Sequence, residues 1–419
     1  MKSLLSAMGS GLTSGHFDLG QGGLRAATRL AFENLVHRAI SEKVNFVLLC
    51  GDLLDGTGRN FGTGLWLSHQ LGRLHKHGIP TFIILGNHDA ESAIIQELKN
   101  TWPTSVKIFS SRKAETEILA EIGVALHGKS FPNREVGAEF IENYPKGDSR
   151  YFNIGLLHTS LAGYQDHDSY APCHLDQLRS FGYQYWALGH VHNRQVLSDD
   201  PWIIYPGNLQ GRQVKETGAK GAYLVAVGDN GEATPEFIPL DVARWFRVVI
   251  DAASCDSIED AIRLMVESLE TLREESNDKP SAVRFEVSIS HLIKGEIVSD
   301  YFGVQNLVRA SCLSRFGDSV WVESVIWKSL QGGNEEKSTS VPPDLRPWIE
   351  KACSSERRES LMVRMSTTIL DLSRKSQSVL GEDAPKIPFS PDLVNSLIDE
   401  ARLLLGGSWK NKGKDTSEN

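Results

Sequence analysis

The sequence predicts an α/β protein: a layered α/β sandwich, a small second α/β domain, and a helical C-terminal region. Three observations predict it. Four continuous apolar runs, NFVLLC (45–50), TFIIL (81–85), FNIGLL (152–157) and YQYWAL (183–188), read as strands buried on both faces. Segments with helical periodicity lie between them, the rhythm of α/β layering. The composition then shifts near residue 240, and no comparable cluster of chemistry-bearing residues follows.

Taken in order, residues 1–23 are Gly/Ser-rich and read as loop. Leu24, Ala27, Ala31, Leu35 and Ala39 repeat at spacings of three and four, which puts them on one helix face. A second helical segment, 65–77, joins the first two apolar runs, and shorter strands are expected at 202–205 and 223–227. Residues 245–250, 257–272, 282–290, 304–313 and 319–326 read as strand, helix, strand, helix, strand. Residues 331–344 (QGGNEEKSTSVPPD) form a polar linker. Amphipathic helices follow within 345–405, and 406–419 is a polar tail expected to be disordered.

Composition excludes some functions. No apolar run approaches the ~20 residues of a membrane helix, and the first residues lack the apolar stretch of a secretory signal. The five cysteines are scattered without a CxxC pair, which argues against a disulfide framework or zinc knuckle and for the cytoplasm. A formal charge of −9 gives no support to nucleic-acid binding by bulk electrostatics. DNA binding would need a local basic groove or a partner that supplies the grip.

The chemistry lies where the four runs end. Gly51-Asp52-Leu53-Leu54-Asp55 follows the first, Gly86-Asn87-His88-Asp89 the second, His158 the third, and Gly189-His190-Val191-His192 the fourth. Each glycine permits a tight turn that presents the next side chains at the sheet edge. Carboxylate, amide oxygen and imidazole together suit Mn²⁺, Fe²⁺ or Zn²⁺. Each piece alone is weak evidence, because GD is commonly a turn and HxH is commonly incidental. Four such endings in one order are not explained by solvated loop tips.

GDLLD, GNHD, LLHTS and GHVH, in this order, resemble motifs two to five of the calcineurin-like metallophosphoesterases. YAPC (170–173), YWALGHVHNRQVL (185–197) and YPGNLQGRQVKETGAKG (205–221) resemble SbcD-type DNA repair exonucleases, in the YhaO-like branch. RFEVS (284–288) and VWVE (320–323) resemble that family's small capping domain. The resemblance implies a four-layer sandwich over 1–240, a cap over 241–330, and phosphodiester hydrolysis on DNA by water activated between two divalent ions, with Mn²⁺ preferred. It implies that Asp52 bridges the two ions, that Asn87, His158 and His190 complete one ion's ligand set, and that His192 serves the other. It implies that His88 is catalytic, and Asp89 is read as orienting it. It also implies an SbcC-type coiled-coil ATPase partner and a tendency to dimerise. Arg194, Arg212, Lys215 and Lys220 would lie along the DNA path, although solvated surface charge explains them equally well. Asp55 reads as a helix N-cap, His174 as the start of the helix after Pro172, and Trp186, Trp245, Trp321 and Trp327 as packing residues.

One departure stands out. The family opens with a strand ending in Asp-x-His, and no Asp-x-His precedes Asp52. His16-Phe17-Asp18 has the reverse order and no apolar strand before it. The chain is therefore expected to start downstream of that motif. A central strand should then be missing, and one ion should be held weakly by Asp52 and His192 alone. Two alternatives stay open: a phosphodiesterase acting on nucleotides or small phosphodiesters, and an inactive structural subunit of an ATPase complex.

Overall fold

The computed structural model describes residues 2–7, 23–54, 61–161 and 171–329. All of them lie in the first of two compact units, Met1–Leu330. His16, Asp18, Asp55, the linker and the segments read as C-terminal helices lie outside the described residues.

The chain runs β1 (Lys2–Ala7), α1 (Gly23–Ser41), β2 (Phe46–Cys50), α2 (Phe61–Lys76), β3 (Thr81–Ile84), α3 (Ala93–Leu98) and β4 (Val106–Ile108). It continues through β5 (Glu115–Leu119), β6 (Val124–Gly128), β7 (Phe152–His158), α4 (Leu175–Arg179), β8 (Tyr185–Gly189), β9 (Gln195–Asp199), β10 (Trp202–Tyr205), β11 (Gly221–Val227) and β12 (Ala233–Pro239). Two six-stranded sheets result, ordered β12-β11-β1-β2-β3-β4 and β5-β6-β7-β8-β10-β9. The central strands of each are parallel; antiparallel pairing is confined to the β12–β11–β1 side of the first sheet and to both edges, β5 and β9, of the second.

Alternation along the buried runs builds the layers. Phe46, Leu48 and Cys50 of β2 join Ile154 and Leu156 of β7 and Tyr185 and Ala187 of β8 in a core between the sheets. Val47 and Leu49 face the other way, onto Phe32, Leu35 and Leu71 of α1 and α2. Trp186 and Leu188 pack outward with Phe140, Leu178 and Phe181. Helices therefore cover both outer faces, and the domain is a four-layer α/β sandwich. Ala31, Leu35 and Ala39, read as one helix face, are fully buried. Trp186 is also fully buried.

β1 corrects an expectation. The sequence of residues 1–23 reads as loop, with a central strand missing, yet Lys2–Ala7 lies between β2 and β11, with Leu4 opposite both Phe46 and Val225. A slot flanked by two strands offers hydrogen bonds along both edges, so tertiary context overrides the segment's weak strand signal. The residues that follow β1 are Met8-Gly9-Ser10.

β13 (Arg244–Ala252), α5 (Ile258–Ser276), β14 (Ser281–Ile289), α6 (His291–Ser299), α7 (Tyr301–Phe316) and β15 (Val320–Ser329) form a parallel three-stranded sheet with helices packed into its own core. Trp245 carries the link to the sandwich. It packs with Ala27, Ala243 and Trp321, and its indole N–H donates to the Gly211 carbonyl at 3.1 Å. No described helix is long and apolar enough to cross a membrane. Cys50, Cys173, Cys255 and Cys312 are free and buried.

Candidate metal centre

β2 and β3 of one sheet and β7 and β8 of the other deliver their C-terminal residues to a common point. Asp52, His158 and His190 are all buried, with ligand-capable atoms within 4.8 Å of one another. His158 organises the group. Its Nδ1–H donates to the Cys50 carbonyl at 2.9 Å, which fixes the tautomer and leaves the Nε2 lone pair facing Asn87 Oδ1 at 2.9 Å. Asp52 Oδ2 lies 3.5 Å from the same nitrogen. Acceptor atoms crowded in this way repel one another unless a cation lies between them, and a carboxylate, an amide oxygen and two imidazoles suit a divalent metal. The residues present therefore fit one such ion.

The backbone reaches this arrangement at a cost. Asp52 (φ 55°) and His190 (φ 96°) both occupy the left-handed half of φ space, which is unusual outside glycine. Such conformations cost about 1–3 kcal/mol each and cluster at functional sites. Close approach also demands glycine at Gly189, where a Cβ would lie 1.7 Å from the Cys50 carbonyl oxygen.

The remaining expected residues take varied places. The His88 amide donates to Asp52 Oδ1 at 3.4 Å, so the GNHD turn is tied to the Asp52 carboxylate. Asp89, expected to orient the His88 imidazole, is fully buried. Its oxygens accept from the amides of Leu53 (3.1 Å), Leu54 (2.9 Å) and Gly86 (3.2 Å), which clamps the β2 and β3 loops together. Burial, and after it the neighbouring Asp52 charge, pushes the Asp89 carboxyl up to about 7 against the pull of those amides. His192 is not in the 4.8 Å group among the described residues. It is half-buried, and its Nδ1–H donates to Glu216 Oε1 at 2.8 Å. Burial alone would raise the Glu216 pKa, but the His192 hydrogen bond and charge, with the Arg212 amide, hold it down at about 2.

The four basic residues expected along a DNA path separate. Lys220 is buried, and its ammonium donates to the His192 carbonyl (3.2 Å) and Asn193 Oδ1 (3.0 Å), so it braces the HxH turn and is not on offer to a phosphate backbone. Arg194 and Lys215 are exposed, with Arg194 stacked 3.9 Å over the Phe237 ring, and Arg212 is half-buried. His174 precedes α4 and caps it, its amide donating to Gln177 Oε1 at 2.8 Å. Glu216 went unrecognised in the sequence. Its only signal there is an acidic residue inside the glycine-bearing VKETGAKG segment.

The chain matches two protein families in succession: calcineurin-like phosphoesterase over residues 18–194, and the middle domain of metallophosphoesterase YhaO over 245–329. Among curated proteins it is 35% identical over 265 residues to the uncharacterized metallophosphoesterase YhaO of Bacillus subtilis, covering 62% of this chain and 64% of that one. It is 26% identical to the DNA double-strand break repair protein Mre11 of Sulfurisphaera tokodaii, over 58% of this chain and 64% of the relative. It is 24% identical to the protein of the same name from Thermoplasma acidophilum, over 80% and 86%. The chain thus spans about 64% of the length of the first two. With strand-end ligands converging on a site that fits a divalent ion, and with both family matches, the chain carries a calcineurin-like phosphoesterase domain followed by a YhaO-type middle domain.

Proposed function

We propose that this chain is a metal-dependent phosphodiesterase acting on DNA, the nuclease subunit of a repair complex. The observation that carries the reading is the buried convergence of Asp52, Asn87, His158 and His190, with their lone pairs turned toward one another. The DNA assignment draws support from relatives named as DNA double-strand break repair proteins.

Asp52, Asn87, His158 and His190 would hold one divalent ion, and Asp52 and His192 would contribute to a second. Bound ions, Mn²⁺ by preference, would supply Lewis-acid polarisation of the phosphoryl oxygen and a lowered pKa for water. The chain's residues do the rest. Asp52 has two oxygens for two neighbours. His88, on a turn tied to Asp52, would stand beside the scissile phosphate and protonate the leaving oxygen. Asp89 would keep both loops in register. Arg194, Arg212 and Lys215 would contact backbone phosphates. The acidic bulk charge fits a coiled-coil ATPase partner that grips the DNA, with two nuclease subunits per assembly, in the cytoplasm.

Mn²⁺-dependent cleavage of duplex DNA and of bis(p-nitrophenyl) phosphate tests this. Asp52→Asn and His158→Ala should abolish both activities, and His88→Ala should lower the rate by about 10²–10⁴-fold. Wild-type rates in Asp52→Asn would sink the reading. Faster turnover of dinucleotides than of DNA would instead favour a small-phosphodiester enzyme. One sequence feature favours a second reading, a catalytically impaired subunit scaffolding an ATPase. Met8-Gly9-Ser10 follows β1, the strand beside β2, where the family pattern has Asp-x-His. No hydrolysis at saturating Mn²⁺ would select it.

A further inference from the structure

A second polar construction surrounds His192, and one segment, 206–220 between β10 and β11, builds it. The imidazole Nδ1–H meets Glu216 Oε1 at 2.8 Å. The Glu216 side chain is only 3% exposed. Its other oxygen accepts from the Asn208 side-chain amide (2.9 Å) and from the Arg212 main-chain amide (2.7 Å). The His192 carbonyl accepts from the Asn208 amide (3.1 Å) and from the Lys220 ammonium (3.2 Å). Both the main chain and the ring of His192 are therefore held by this segment.

Burying a carboxylate and filling its hydrogen-bonding positions is a poor way to gain stability, since apolar packing does as well or better. It is an effective way to fix an imidazole. A carboxylate on one ring nitrogen sets the tautomer and rotation, and raises the basicity of the other nitrogen toward a metal.

We propose that Glu216 is a positioning residue of the metal centre, locking the His192 ring so that Nε2 is presented to a divalent ion, with Asn208 and Arg212 holding Glu216 in place. The proposal rests on the reading of His192 as a metal ligand. It gives the segment 206–220 a role in metal binding, where the sequence suggested a basic path for DNA.

The test is a Zn²⁺ titration of the full chain labelled with ¹⁵N-histidine, followed by long-range imidazole NMR correlations. His158, His190 and His192 are assigned by single substitution. In the wild type, Zn²⁺ should shift the Nε2 signals of His158 and His192 and one ring-nitrogen signal of His190, while the His192 Nδ1–H resonance persists. In Glu216→Gln, the His192 response should need about 10–100-fold more Zn²⁺, while His158 and His190 respond as before. Equal His192 responses in wild type and variant would overturn the role of Glu216 and leave the metal reading standing. A His192 signal that ignores Zn²⁺ while His158 and His190 saturate would overturn the proposal by removing His192 from the ligands. Silence of all three would overturn the metal reading itself, and the proposal with it. If Glu216→Gln melts as an unfolded protein, Glu216→Asp carries the test. It keeps the charge but draws the carboxylate back by one methylene, and the same selective loss of His192 affinity is expected, several-fold in size. No selective loss in Glu216→Asp would count against the proposal as an unchanged Glu216→Gln would.

Discussion

Gly189 shows how single residues govern this site. A methyl group there would lie 1.7 Å from the Cys50 carbonyl oxygen and 2.8 Å from His158 Nδ1, the two atoms whose hydrogen bond sets the His158 tautomer. Gly189→Ala must therefore push the end of β8 away from the end of β2. Overpacking of this kind costs about 1–3 kcal/mol, so a fall in Tm of roughly 3–10 °C is expected, with loss of metal-dependent hydrolysis. Calorimetric melting beside a hydrolysis assay checks it, and unchanged melting would mean that the contact relaxes freely. Asp52, Asn87, His158 and His190 are legible in the sequence because each follows a continuous apolar strand. Glu216 is not. No strand precedes it, and an acidic residue between Lys215 and Gly218 looks like any solvated turn. Lys220 misled for the converse reason, since a sequence displays charge but not burial.

Among elements, the β13–β15 sheet carries an ion-pair ladder on the face away from its helices. Arg247 and Lys328 both engage Glu286 from the neighbouring strands, and Arg284 pairs with Glu323 at 2.6 Å. The Arg247 hydrogen bond, then that of Lys328, holds the Glu286 carboxyl at about 2, below the usual carboxylate range. The folded pKa lies below the unfolded one. The contribution is thus fully present above the unfolded value of about 4.3 and lost as pH falls from there toward 2. Glu286→Gln should melt roughly 1–4 °C below wild type at pH 7, because Glu286 is buried but the Arg247 and Lys328 side chains are more than half exposed and their charges are screened. The gap should narrow as the pH approaches 3, and melts at pH 7, 5, 4 and 3 check this. A gap of constant width would assign the loss to packing. Helices with a clear period, such as α1 and α5, and continuous apolar strands, such as β2 and β8, are legible in the sequence. Flanking strands such as β5 (ETEIL) are not, because they are short, polar and half-exposed, and their pairing supplies most of what makes them strands. β1 is the extreme case, a strand made by the slot it fills.

At the scale of the whole molecule, charge constrains the proposed action on DNA. The chain carries −9, and of the four basic residues first placed on a DNA path, Lys220 is spent on the His192 turn. Arg194, Arg212 and Lys215 remain. Each phosphate contact by a cation steepens the salt dependence of duplex binding by about 0.9 in log–log slope. Three contacts therefore predict a slope no steeper than about −3, and an affinity within the weak non-specific range of about 10⁻⁴–10⁻⁶ M at physiological salt. Fluorescence anisotropy of a labelled duplex, titrated with the isolated chain at several salt concentrations, measures both quantities. Arg194→Ala, at an exposed side chain stacked on Phe237, should lower the slope magnitude by about 1 and weaken DNA binding more than it slows turnover of bis(p-nitrophenyl) phosphate. A wild-type slope of about −6 or steeper would mean that a larger basic surface on this chain grips the duplex by itself. The proposed DNA-holding partner would then not be needed on electrostatic grounds.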